Sequence, residues 1–444
     1  MFVRKWSGLP EDPHFPSDLK ELGYFINDED EVRSIEEPDY YFKFFINRNM
    51  RYNDRQRFGM NQALQAEICT RLEKLGLKKT LLPLDSDASK PNVPIFVSAD
   101  IASKSRVILI FGETTQDLGV LAHRVIGGPG GVNKGSVVSV VKGFQAQKSS
   151  ATDDSPPGII LANMGELLWH PKSMRTISLS AFDAAPMRSA ACIRNEVTEV
   201  NHVPGNKTPS EHVKYLFERV VPGYVRDDAR LDIVGVGDGI DIAEQYLDDV
   251  DVWDRWAKRI NCIAIVGGMY ATYRMKSRAF RDFLKQRARA YTLASEPLGT
   301  PLSGPDGNPR TTTFTQNGCP SFSAGEDVYT ERSLVAAHPE VLAWLQEVAL
   351  AGPDYANPDF VIYYHDHRPV DADDPDWSAW QENEETNKPT VEMATGMVKS
   401  GGEVEGAEGV ADVDGKGNGK DKGQGKDDGF VIRVESLSDT EDDE

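Results

Sequence analysis

Gly235, Val236, Gly237, Asp238 and Gly239 have the spacing of a nucleophile elbow, Gly-x-Ser-x-Gly, with glycine in the central seat. An elbow presents a serine hydroxyl at a sharp turn from a buried strand into a helix, where it attacks a carbonyl carbon. Gly237 carries neither oxygen nor sulfur, so no acyl-enzyme can form at this apex. Glycine adopts the backbone conformation of such an apex with little strain, so the turn can persist after the reactivity has gone. The same three glycines also suit a plain close approach of helix to strand. The carboxylate of Asp238 is the remaining nucleophile at the turn. That residue type more often serves the first turn of a helix, worth ~0.5–2 kcal/mol when it caps.

A hydrolytic triad needs an acid and then a histidine downstream of the nucleophile. Glu296 follows the last central strand, where the acid belongs, and Tyr329 and His338 are the candidates for the final position. Tyr329 would need a large pKa shift to act as a base near neutrality. His338 precedes Pro339, which suits a helix start as well as catalysis. Without a serine, a base has nothing to activate, so these residues form a vestigial site that implies no cofactor. Two further patterns fail on detail. Gly130–Ser136 (GGVNKGS) has Lys-Gly-Ser where a phosphate loop needs Gly-Lys-Ser. Gly235–Ile240 has Ile240 in the third glycine seat of a dinucleotide fingerprint.

The elements that must position these residues alternate in type. Arg106–Phe111 (RVILIF), Gly158–Ala162, Leu231–Val236, Asn261–Val266 and Arg289–Leu293 are short apolar runs, as expected of strands covered on both faces. Pro94–Ser98 reads as a further strand. Between them, Val213, Leu216, Phe217 and Val220 make a helical face, as do Ile242, Tyr246, Val250 and Trp253, and then Phe280, Phe283 and Leu284. Leu64, Ile68, Leu72 and Leu75 predict an earlier helix that Gly76 ends, and His338–Val348 a closing one. Pro297–Phe322 reads as a long loop. The pattern predicts an α/β fold: a parallel sheet with right-handed crossovers and helices on both faces. Residues 1–52 form an extension whose aromatic run Asp39–Asn47 docks on the core, residues 53–366 the domain, and residues 367–444 a disordered acidic tail.

Charge is unevenly spread. Residues 371–444 hold 22 acidic and 7 basic side chains, a net −15 of the chain's −21. Such a composition buries too little apolar surface to offset chain entropy. Arg274, Lys276, Arg278, Arg281, Lys285, Arg287 and Arg289 oppose a single acid, Asp282, and predict a basic face for phosphates, an acidic partner or the tail itself. Few aromatics interleave, so RNA contact stays open. Near the end, Val431, Ile432 and Val434 precede Ser436, Ser438 and Thr440 in an acidic context. This resembles a SUMO-interacting motif beside phosphorylation sites. Cys69, Cys192, Cys262 and Cys319 are scattered with no metal-binding spacing, as in a reducing compartment. No secretory h-region and no run of 18 apolar residues is visible, so a nuclear or cytoplasmic location away from membranes is expected.

Longer phrases carry a family resemblance. They are PSDLKELGYFINDEDEVRSI (Pro16–Ile35), YYFKFFINRNMRYNDRQRF (Tyr40–Phe58), VILIFGETTQDLG (Val107–Gly119), IGGPGGVNKGS (Ile126–Ser136), DIVGVGDG (Asp232–Gly239), EPLGTPL (Glu296–Leu302) and GCPSFSAGE (Gly318–Glu326). Across Pro16–Tyr364 the chain resembles the Argonaute-binding-protein-2 domain family, notably its stand-alone fungal members. The resemblance implies an α/β-hydrolase-like fold and a role in RNA silencing and heterochromatin, as a subunit of an Argonaute small-RNA chaperone complex. A similar domain ends class II histone deacetylases as a non-catalytic accessory. Some relatives look serine-bearing at the elbow and place a histidine shortly after the block like Ser323-Ala324-Gly325. Gly237 and Tyr329 depart from both, and the Gly112–Gly119 loop, which would hold oxyanion donors in an enzyme, would then only shape a pocket. The leading expectation is a non-enzymatic binding subunit. The competing ones are an unconventional hydrolase using Asp238 with His338, and a small-ligand sensor.

Overall fold

Arg106–Phe111 is buried at all six positions, yet its side chains divide by parity between two cores. Ile108 and Ile110 pack into one cluster, while Val107, Leu109 and Phe111 pack into the other. That division is the mark of a strand covered on both faces, and the sheet is built around it. The computed structural model describes residues 11–362 apart from Arg188, Ala190, Ala191, Ile193, Arg310 and Asp359, with Phe360–Ile362 and Val434–Ser436 as backbone only.

In chain order the principal elements are α1 (Met50–Lys74), β1 (Leu77–Leu82), β2 (Val93–Ser98), β3 (Arg106–Phe111), α2 (Val137–Gln145), β4 (Gly158–Leu161), α3 (Pro209–Tyr215), β5 (Arg230–Val236), α4 (Asp238–Leu247), α5 (Val250–Trp256), β6 (Ile260–Val266), α6 (Arg278–Arg287), β7 (Ala288–Thr292), β8 (Pro301–Ser303), β9 (Ser321–Ser323) and α7 (Thr330–Ala351). The nine strands form one sheet in the order β8-β9-β7-β6-β5-β3-β4-β2-β1. The pairs from β4 through β3, β5, β6 and β7 to β9 are parallel, and β1, β2 and β8 run antiparallel to their neighbours. Helices α1, α2 and α7 cover one face, and α3 to α6 the other. This is an α/β-hydrolase-like arrangement, with the Gly235–Gly239 turn at the carboxyl end of a central strand.

Several elements differ from the sequence reading. The expected Pro297–Phe322 loop contains β8 and the start of β9, which pair with each other and extend the sheet beyond β7. Leu77–Leu82 is an edge strand whose lysines face outward. The periodic face Ile242–Trp253 spans two helices: Asp249 caps α5 by accepting from Val252 N–H at 3.1 Å, and Val250 is exposed. Helix α1 starts at Met50 and so straddles residues 52 and 53, and Gly76, at φ +84°, follows its end. In the aromatic run, Phe42 packs on Tyr24 with ring centres 5.5 Å apart, whereas Tyr40 and Phe45 are largely exposed. The expectation for the acidic tail lies outside the described residues, save that Val434–Ser436 forms a short strand.

A buried polar chain ties the opposite, amino ends of the strands together. Arg106 Nε donates to Asp232 Oδ2 at 2.6 Å, between β3 and β5, and its other nitrogens reach Gln147, the Lys148 carbonyl and the Leu345 carbonyl of α7. Asn261 Nδ2 donates to Asp232 Oδ1, and Arg287 donates to Asn261 and to the carbonyls of Gly352 and Tyr355. Arg287 is therefore part of the core network and not of the basic face. Arg289 is likewise turned inward, over the Phe322 and Trp344 rings and hydrogen-bonded to the Tyr355 hydroxyl. Asp232→Ala leaves this guanidinium chain without its anion and is expected to cost about 3–5 kcal/mol. Arg281→Ala, at an exposed site, should stay within about 0.5 kcal/mol. Urea unfolding of the two variants against the parent chain measures both.

Candidate functional site

Gly237 has φ +54° and ψ −131°, a region that side chains other than glycine enter only under strain. Its N–H donates to the Val266 carbonyl of β6 at 2.8 Å. The flanking glycines serve packing. A methyl group at Gly239 would lie 2.0 Å from the Gly112 carbonyl oxygen, and one at Gly235 would lie 2.5 Å from Ile240 Cβ. The turn thus presses α4 against the end of β3 and draws the Gly112–Gly119 loop across the apex.

That loop delivers a residue the sequence reading passed over. A methyl at Gly237 would come within 2.7 Å of Glu113 Oε1, so the Glu113 carboxyl fills the space in which an elbow nucleophile would begin. Burial pushes this carboxyl up to about 7; the negative charges of Asp238 and Glu331 add to the shift, and a hydrogen bond from Gln116 opposes it. Asp238 does not cap its own helix. It accepts Thr114 N–H at 2.9 Å and the Thr114 hydroxyl, pinning the loop to the elbow. Leu118 N–H goes to Glu166 at 3.0 Å. Two of the loop's backbone donors are therefore aimed at the chain's own carboxylates.

Glu113 also lines a cavity of about 1010 Å³. Aromatic side chains form much of its wall: Phe42, Phe44, Phe45, Phe58 and Tyr329. Asp117 and His123 face each other there at 3.3 Å. Arg124 lies 4.3 Å over the Tyr329 ring and pairs with Glu331 at 2.9 Å. Of the expected triad remnants, only Tyr329 is in this wall. Glu296 contributes its backbone carbonyl to the Ser323 hydroxyl at 2.6 Å, and its carboxylate does not line the cavity. His338 is not at a helix start but inside α7. Pro339 is the next residue in that helix, and His338 Nδ1 donates to the Val335 carbonyl at 3.0 Å. A proline has no N–H to give that carbonyl, so His338 makes good a missing backbone bond. Asp238 and His338 are thus committed to separate structural roles.

On the surface, Arg274, Lys276, Arg278, Arg281 and Lys285 are exposed, unlike Arg287 and Arg289. Arg278, Arg281 and Lys285 line a shallow cavity of about 550 Å³ beside Tyr273, which is 80% exposed. Asp282 and Asp306 share it, and Asp282 lies 3.8 Å from Arg278. Val431, Ile432, Ser438 and Thr440 of the tail motif lie outside the described residues, and Val434 and Ser436 are described as backbone only.

Fold and turn together define an α/β-hydrolase-like protein with a glycine at its elbow. The profile of the Arb2 domain matches residues 15–298, and the chain belongs to this family. It is similar to a cotranscriptional regulator ARB2A homolog from Xenopus tropicalis, 20% identical over 73% of this chain and 78% of the relative. Among solved structures it is similar to the Pyrococcus furiosus esterase Pf2001 (10% identity, 62% of this chain, 93% of the other, TM-score 0.30). It is also similar to a thermostable esterase from Pseudomonas putida (9%, 66% and 89%, TM-score 0.28). No helix among the described residues is long and apolar enough to cross a membrane.

One sequence signal could have found Glu113: it is the first titratable residue beyond the buried run Arg106–Phe111, at the strand ends where open α/β sheets bind ligands. Its raised pKa fixes the sign of a pH effect. Below the ordinary glutamate range both folded and unfolded chains hold the proton, and the site carries no penalty. As pH rises towards 7 the unfolded chain ionises first, and stability falls. Glu113→Gln should therefore match the parent near pH 4 and exceed it by on the order of 1 kcal/mol at pH 8, after allowance for solvent screening. Thermal unfolding at the two pH values reads the difference. A gap that shrinks with rising pH would contradict the assignment.

Proposed function

We propose that this chain is a non-catalytic binding subunit of a silencing assembly, working in the nucleus with Argonaute-type or chromatin-silencing proteins. The observation that carries the reading is the apex itself: Gly237 supplies no nucleophile, and Glu113 stands in its place. Membership of the Arb2 family and similarity to a cotranscriptional regulator favour a regulatory role over a metabolic one. The carboxyls of Glu113 and Asp238 at the apex favour binding over acyl transfer.

The exposed cations of α6 are the docking surface in this reading, together with Tyr273. They can meet an acidic partner or a phosphate-bearing one, and the tail motif offers a separate contact to SUMO or a SUMO-modified protein. Affinity purification of the full chain from its native cells should recover a silencing protein. Charge reversal at Arg278, Arg281 and Lys285 together should lower that recovery at least about tenfold, with a salt dependence that the parent complex shows and the variant lacks. Recovery of no silencing component with the parent chain would overturn the reading, and undiminished recovery with the variant would clear α6 of the role. Turnover of nitrophenyl esters abolished by Asp238→Asn or Glu113→Gln would restore an enzyme.

A further inference from the structure

The cavity over the elbow has a charge pattern that selects its occupant. Each cation in its wall already has an anion or ring. Arg124 pairs with Glu331 and covers Tyr329. His123 faces Asp117. Arg57 lies 3.5 Å from Asp54 and 4.6 Å over the Phe58 ring. Among the described residues Glu113 has no cationic partner, and its Oε1 would lie 2.7 Å from a methyl group at Gly237. Gln116, in the same wall, leaves its buried Oε1 without a donor. A carboxyl with no cation, hydrogen-bonded only to Gln116, and an acceptor on that same side chain with no donor ask for an N–H cation. The phenylalanine and tyrosine rings around them offer apolar area and cation-attracting faces.

We propose that this cavity binds an organic ammonium ion with an aromatic or alkyl body, its nitrogen between Glu113 and Gln116 and its body against the aromatic wall. The site does not depend on the docking reading above, since it lies on the elbow and not on α6. Binding couples to protons. Glu113 faces Asp238 of α4 and Glu331 of α7, and both oppose its ionisation. Asp117, His123, Arg124 and Arg57 complete the charged wall. An arriving ammonium ion stabilises the carboxylate form and expels the proton that Glu113 holds near neutrality.

Isothermal titration calorimetry of the full chain with phenethylammonium at pH 7, in phosphate and in Tris, tests this. The difference in heat between the buffers should report release of roughly half a proton per ion bound. Phenethyl alcohol, the neutral analogue, should bind at least about tenfold more weakly. Glu113→Gln should lose both the proton release and about tenfold in affinity, which also separates its proton from any on His123. Tyr329→Leu should weaken binding while the proton release remains. Absence of ammonium binding, equal binding by Glu113→Gln, or tighter binding of phenylpropionate, which would hand the cavity to Arg57 and Arg124, would each overturn the proposal.

Discussion

The absence of a β-carbon at two positions, Gly237 and Gly239, is the constraint on which the site depends. Gly239 lets α4 rest on the Gly112 carbonyl, a contact that any side chain would break. Because α4 sits there, the loop leaving β3 must cross the apex. Because Gly237 is bare, the carboxyl of Glu113 can occupy the space over it. Asp238 then fastens the arrangement by taking both donors of Thr114. Loop, turn and helix form one interlocked unit, and the carboxyl in its middle is held where neighbouring charge and burial disfavour ionisation.

The two ends of the sheet do different work. At the amino ends, Arg106, Asp232, Asn261 and Arg287 join β3, β5, β6 and α6 to the end of α7 through buried charged hydrogen bonds. Every charge there has a partner, which is the condition for a buried ion pair to be tolerated. At the carboxyl ends, Glu113 has a hydrogen bond from Gln116 but, among the described residues, no cation. Open α/β sheets bind ligands at this second end, and the contrast between a matched end and an unmatched end marks where this protein has kept room for something else.

The strand pattern was legible because buried strands such as Arg106–Phe111 and Ile260–Val266 are continuous apolar runs, and their limits in the structure fall within a residue of the sequence reading. The edges were harder. Leu77–Leu82 is interrupted by Lys78, Lys79 and Thr80, and β8 and β9 are three residues each within a Gly/Pro/Thr-rich stretch, so none has the run that a central strand shows. The elbow was legible from glycine spacing alone. Glu113 was not, because its role comes from a loop laid across a turn more than a hundred residues later in the chain. Arg287 and Arg289 misled for a related reason: counted along the sequence they belong to a basic cluster, but the end of α6 and the start of β7 turn them inward to carbonyls and rings. His338 is explained by its neighbour Pro339, a pairing visible in the sequence once the helix is known to run through it.

The central claim is that the Glu113 carboxyl occupies the elbow apex, partly buried and beside Asp238. Carboxyl carbon-13 NMR of the full chain, with the Glu113 resonance assigned by its loss in Glu113→Gln, tests this directly. The account requires a titration midpoint at about 7, moved downwards when Asp238→Asn removes the neighbouring charge. A midpoint near 4.5, the ordinary value for glutamate, that is indifferent to Asp238 would place this carboxyl in open solvent and contradict the account.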